Sequence, residues 1–123
     1  MHITLGIPPI TKKNHQDIIW NKKTKSPMII PSKQYRKFEK ACAEFIPQMP
    51  FQMFDCPVNV KCEYYMPTHR KVDLVNLEEA TLDVLVKYGI LFDDNSNIVA
   101  SMDGSRVLYD KEHPRTEIEI IEL

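Results

Sequence analysis

Prolines stop this chain repeatedly, and the stops limit its folds more than any other feature. Pro8-Pro9 ends the alternating run Ile3-Thr4-Leu5-Gly6-Ile7, because proline has no amide to give to a strand ladder. Pro47 and Pro50 end a helical run that opens at Ser32, a good N-cap, and reaches about Ile46. Met66-Pro67 closes the alternation Val58, Val60, Cys62, Tyr64 against Asn59, Lys61 and Glu63, the pattern of a half-buried strand. The expectation is a single domain over residues 1–123, built from short elements around one core.

The remaining elements follow from periodicity. Asp17–Trp20 and Met28–Ile30 form a β-hairpin around the polar stretch from Asn21 to Pro27. In the first helix Tyr35, Phe38, Cys42 and Phe45 make an apolar stripe. A second helix runs from about Leu74 to Tyr88, with Gly89 at the C′ position. Asn97–Leu108 is expected as one long strand with a bulge or turn at Asp103-Gly104, and Thr116–Leu123 as the last strand. The order βββαβαββ implies an α+β fold: a mostly antiparallel sheet with two helices packed on one face. On the second helix Leu77, Thr81, Val84, Leu85 and Tyr88 face the sheet, while Asn76, Glu79, Asp83 and Lys87 lie opposite. Val75, Leu82 and Val86 make a second apolar ridge, which points to a homodimer contact.

Composition excludes several classes. No apolar run is long enough to span a membrane, and MHITLGIPPI is too short and proline-broken for a signal peptide. Cys42, Cys56 and Cys62 are odd in number and form no CxxC, so neither a disulfide framework nor a zinc site is expected. Three reduced, mostly buried thiols fit a cytoplasmic protein. The net charge is −1, but residues 1–40 carry +7 and residues 41–123 carry −8. Such asymmetry suits a phosphate-binding surface beside an acidic site, or two halves that neutralise each other on folding.

The acids carry the functional question. Asp73 opens the second helix, where an aspartate caps the N2 or N3 amide and complements the helix dipole. Asp93-Asp94 follows the helix in a turn, and such pairs commonly serve only as turn formers. Together they also suit a hard cation, Mg²⁺ or Mn²⁺, which activates water and neutralises phosphate charge in phosphodiester hydrolysis. A helix of about fifteen residues is roughly 22 Å long, so Asp73 and Asp94 stand apart unless something unites them. Two arrangements would: the loop Gly89–Asn95 folding back along the helix, or two helices packing antiparallel in a dimer. Lys12, Lys13, Arg70 and Lys71 would hold a nucleic-acid backbone, with His69 a further phosphate contact. His15 and His113 read as solvated loop residues. Trp20 and Tyr35 read as packing residues, with stacking on unpaired bases as the other option. Asp83 would pair with Lys87 at i, i+4 or support the acids around it.

The stretch VDLVNLEEATLDVLVKYGILFDDNSNIV, residues 72–99, resembles the signature of the RusA family of Holliday junction resolvases. That signature is approximately D-L-D-N-L, a helix with K-A and D-x-L, then G and D-D. Pro8-Pro9, Lys12-Lys13-Asn14, the hairpin, Ser32-Lys33-Gln34-Tyr35 and the ending Pro114–Ile120 extend the resemblance over nearly the whole chain. It implies a homodimeric, metal-dependent endonuclease, often carried by prophages, that cuts four-way DNA junctions in recombination and repair. By position, Asp73 and Asp94 match the essential acids, Asn76 the asparagine of D-L-D-N-L, and Asp83 the acid of D-x-L, with Asp93 preceding Asp94; Asp73, Asp94, Asp93 and Asn76 make up the implied metal-ligand set. Asn14 joins the DNA-binding set. Two positions depart: Val75 stands where a second aspartate belongs, and Glu79 where a lysine belongs. A site of Asp73, Glu79 and Asp94 would keep three carboxylates. The other reading is a junction-binding dimer that cuts weakly or not at all.

Overall fold

The computed structural model describes residues 1–12, 16–48 and 51–123. Its strands are β1 (His2–Leu5), β2 (Gln16–Asn21), β3 (Ser26–Pro31), β4 (Val58–Met66), β5 (Val99–Ser101), β6 (Arg106–Tyr109) and β7 (Arg115–Glu122). Its helices are α1 (Lys33–Ala41) and α2 (Leu74–Lys87). The fold is α+β.

β4 is the centre of the main sheet. β7 pairs antiparallel with β4 on one side and with β1 beyond it. On the other side β5 and β6 both pair parallel with β4, one after the other along the same edge. The sheet is therefore mixed: its β1–β7–β4 part is antiparallel, as expected of most of it, and β5 and β6 add parallel pairing along one edge. The expected long strand 97–108 is instead two short ones. Asn59 explains the break: its side-chain oxygen accepts from the Asp103 amide at 2.8 Å and from Ser101 Oγ at 2.6 Å. The Cys62 amide donates to Ser105 Oγ instead of to a strand carbonyl. These bonds hold the Asp103-Gly104 turn (Gly104 φ +87°) against β4 and split the strand around it. β2 and β3 form a separate two-stranded ribbon.

Alternation places Val58, Val60, Cys62 and Tyr64 of β4 in the core, with Ile3, Leu5, Ile118 and Ile120 beside them. Both helices pack into this one cluster, through Tyr35 and Phe38 of α1 and Leu77, Ala80, Val84 and Leu85 of α2. Two buried hydroxyls pin α2 to the sheet: Tyr64 Oη lies 2.8 Å from Thr81 Oγ1, and Thr81 donates back to the Leu77 carbonyl. Tyr88 Oη donates to the Glu39 carbonyl and ties α2 to α1.

The helix ends are encoded locally. Ser32 Oγ accepts from the Tyr35 amide at 3.1 Å, as an N-cap should. α1 stops earlier than expected, at Ala41, and tightens into a 3-10 turn over Cys42–Phe45 before Pro47. Pro50 lies outside the described residues. α2 is closed by Gly89 (φ +76°), just past its Tyr88 cap, where the Gly89 amide donates to the Val86 carbonyl and the Ile90 amide to the Leu85 carbonyl. That paired pattern needs a left-handed residue at C′, which glycine adopts without strain. The apolar ridge on α2 is only partly open: Leu82 and Val86 pack on the core, while Val75 is 72% exposed.

Candidate nucleic-acid interface and acidic helix

Asp73 stands at the N-cap position of α2, and its carbonyl accepts from the Leu77 amide at 3.1 Å. Its carboxylate, however, makes no cap bond. It accepts instead from the Asn76 side-chain amide at 3.1 Å. This corrects the expectation that Asp73 caps a backbone amide. Asn76 also departs from its expected place on the polar side, since it is only 7% exposed. Glu79 is exposed one turn further on, and Val75 projects into solvent.

Past the helix the chain folds back. Buried Ile90 and Leu91 lead it beside Phe54, where the Phe54 and Phe92 amides exchange 2.9 Å bonds with Ile90 and Phe54 carbonyls. Asp93 then spends both oxygens inside the turn, accepting from the Asp94 amide at 2.7 Å and from Asn95 Nδ2 at 3.0 Å. Asp93 is thus the turn former of the pair. The carboxylate of Asp94 receives no hydrogen bond from a donor among the described residues. Its pKa is raised by desolvation first, then by the adjoining Asp93 carboxyl, with a further contribution from the charge of Asp83.

Asp83 therefore belongs to the Asp94 end of the helix. It does not pair with Lys87. Lys12 Nζ reaches it at 3.0 Å, and Lys87 instead holds Glu39 at 2.6 Å. Asp73 and Asp83 are ten residues apart on α2, or about 15 Å along its axis. The acids thus form a track along the helix and not a single cluster. Among the described residues, no three His, Cys, Asp or Glu side chains come together closely enough to hold a metal ion.

Beside the Asp73 end runs an open groove of about 830 Å³. Its walls are Ile7–Thr11, one side of α1 and the loop from β4 to α2. Arg70 and Lys71 line it, and both are exposed. Lys37 and Gln34 line it too, which the sequence reading missed. The signal was present: Lys33, Lys37 and Lys40 repeat at helical spacing along the exposed side of α1. His69 does not join this groove. It stacks on Tyr109 at 3.8 Å and borders a neighbouring hollow. Lys13, Asn14 and His15 lie outside the described residues. Tyr35 is core, 1% exposed, with its hydroxyl deep beside α2, so it does not stack on bases; its pKa is raised by burial and by the charges of Glu39 and Asp83.

The chain is thus an α+β protein with acids along one helix and Lys37, Arg70 and Lys71 in a groove beside it. A family model, Endodeoxyribonuclease RusA, matches residues 6–121, and the chain belongs to this family of Holliday junction resolvases. No curated protein matches the chain. No helix is long and apolar enough to cross a membrane.

Proposed function

We propose that the chain is a divalent-metal-dependent endonuclease that resolves four-way DNA junctions, acting as a homodimer in recombination and repair. The observation that carries this reading is the cationic groove running up to Asp73 in a member of a junction-resolving family. Arg70, Lys71 and Lys37 would take the phosphate backbone, with Lys12, next in the chain to Thr11 of the groove wall, a further contact. Asp73 and Asp94 would be the essential acids, with Glu79 a third carboxylate and Asn76 holding Asp73 in place. Mg²⁺ or Mn²⁺ would supply charge neutralisation at the phosphate.

We infer a dimeric form of the site, as the family resemblance implies. In it, Asp73 of one copy comes near Asp94 of the partner subunit. Exposed Val75 and Phe92, next to these acids, supply apolar surface for such a contact. A cytoplasmic, prophage-borne enzyme is consistent with the reduced thiols and the family.

The test is a labelled four-way junction incubated with and without Mn²⁺, beside Asp73→Asn and Asp94→Asn. Binding by all three proteins and cleavage only by the parent supports the proposal. Equal cleavage by both variants overturns this site, and binding without cleavage by the parent leaves a junction-binding protein.

A further inference from the structure

The β2–β3 ribbon is apolar where a free-standing ribbon should be polar. The register sets Ile18 opposite Ile29 and Trp20 opposite Pro27, so these four side chains share one face. Ile18 is 73%, Trp20 62% and Ile29 65% exposed, and among the described residues no third strand or helix covers them. The tip carries the opposite chemistry. Lys22, Lys23 and Lys25 are all exposed, and none forms an ion pair among the described residues. No acid occurs from Asn21 to Ile30.

The tip is a built turn. Asn21 Oδ1 accepts from the Lys23 and Thr24 amides, and Lys25 takes a left-handed backbone (φ +53°) that glycine would adopt more easily. A lysine kept at that position retains charge at the expense of local strain. The ribbon also springs from the groove. β3 runs straight into Ser32 and α1, whose Gln34 and Lys37 line it, and β2 follows closely on Thr11, which lines it from the other wall.

We propose that this ribbon is the junction-reading element: the lysine tip holds phosphates while Trp20, Ile18 and Ile29 pack against bases left unstacked at the crossover. This rests on the nuclease reading above and deepens it. Three cations beside an apolar face complement DNA, which offers phosphates and exposed base faces within a few ångströms of each other. A two-stranded ribbon fits a DNA groove, and apolar side chains wedge between base steps in other proteins that bend DNA. A second copy of the chain is the poorer occupant, because each copy would bring its three like charges to the same contact.

Trp20 is the only tryptophan, so its fluorescence reports on the ribbon alone. A four-way junction is titrated into the full chain without divalent metal, followed by emission and by gel shift. The same is done with a linear duplex of equal phosphate content and with anionic vesicles. The junction should quench Trp20 at least about twofold more than the duplex does. Trp20→Ala should weaken junction binding about tenfold and duplex binding less than about twofold, and Trp20→Phe should restore most of the loss. Replacing all three tip lysines by Gln should weaken both DNAs and flatten the salt dependence. Junction binding with unchanged Trp20 emission overturns the ribbon's role and leaves the nuclease reading intact. A shift that depends on protein concentration without DNA assigns the face to a second copy, and a shift with vesicles alone assigns it to a membrane; either overturns the proposal. Absence of any junction binding overturns both readings together.

Discussion

The Asn76 side-chain amide donates to the Asp73 carboxylate over 3.1 Å, across the first turn of α2. The bond holds one oxygen of Asp73 and leaves its remaining lone pairs open. It also explains how an N-cap aspartate is kept in place without capping. Asn76→Ala is expected to cost about 1 kcal/mol of stability, the ordinary worth of one such bond. Junction cleavage should fall about tenfold or more, because Asp73 then turns to cap its own helix. Asn76→Asp should do worse, by setting a second negative charge against Asp73. Thermal midpoints and cleavage rates at saturating Mn²⁺ check both, and unchanged rates in Asn76→Ala would sink the positioning role.

In the proposed site, Asp94 should set the pH dependence of cleavage. Its carboxyl is raised by desolvation, by Asp93 and by Asp83, so it takes up a proton at a higher pH than an ordinary aspartate. Only the ionised form binds a cation. The acid limb of a pH–rate profile should therefore lie above the usual aspartate range. The sign for stability is opposite: a carboxyl raised in the folded state weakens the fold once ionised, and protonation relieves it. Asp94→Asn should then raise the thermal midpoint slightly while abolishing cleavage. A lowered midpoint would contradict the proposed electrostatics.

What was legible in the sequence is what is local. Ser32 and Gly89 mark the two helix ends through bonds a few residues long, and the alternation in β4 and β7 places the core. The parallel pairing of β5 and β6 was not legible, because it depends on Asn59 and Cys62 holding residues more than forty positions away. Lys12 choosing Asp83 over a local partner is likewise a consequence of the fold. The paired acids Asp93 and Asp94 look alike in sequence and separate only when the turn binds one of them.

The thiols should differ in reactivity. Burial pushes Cys42 and Cys62 up to about 12, so neither supplies thiolate at neutral pH. Cys56 is half-buried, and its pKa is raised by desolvation and by Glu122 and Asp55. A disulfide reagent should label one thiol per chain slowly under native conditions, and three in denaturant. Peptide mapping should place the native label on Cys56. Rapid labelling of Cys62 would mean that the β4 core opens readily.

Lys12 and Asp83 join residues far apart in sequence through a contact of 3.0 Å at side chains 35% and 29% exposed. At that exposure the pair is worth about 0.5–1 kcal/mol, since solvent screens much of the attraction. A double-mutant cycle on Lys12→Met and Asp83→Asn should return a coupling of that size from denaturant unfolding. The two single variants should move catalysis in opposite directions. Lys12→Met leaves Asp83 unneutralised, raises Asp94 further and shifts the acid limb of cleavage upward. Asp83→Asn removes one of the charges that raise Asp94 and shifts the limb downward. If both variants shift the limb the same way, Asp83 does not act on Asp94 through its charge.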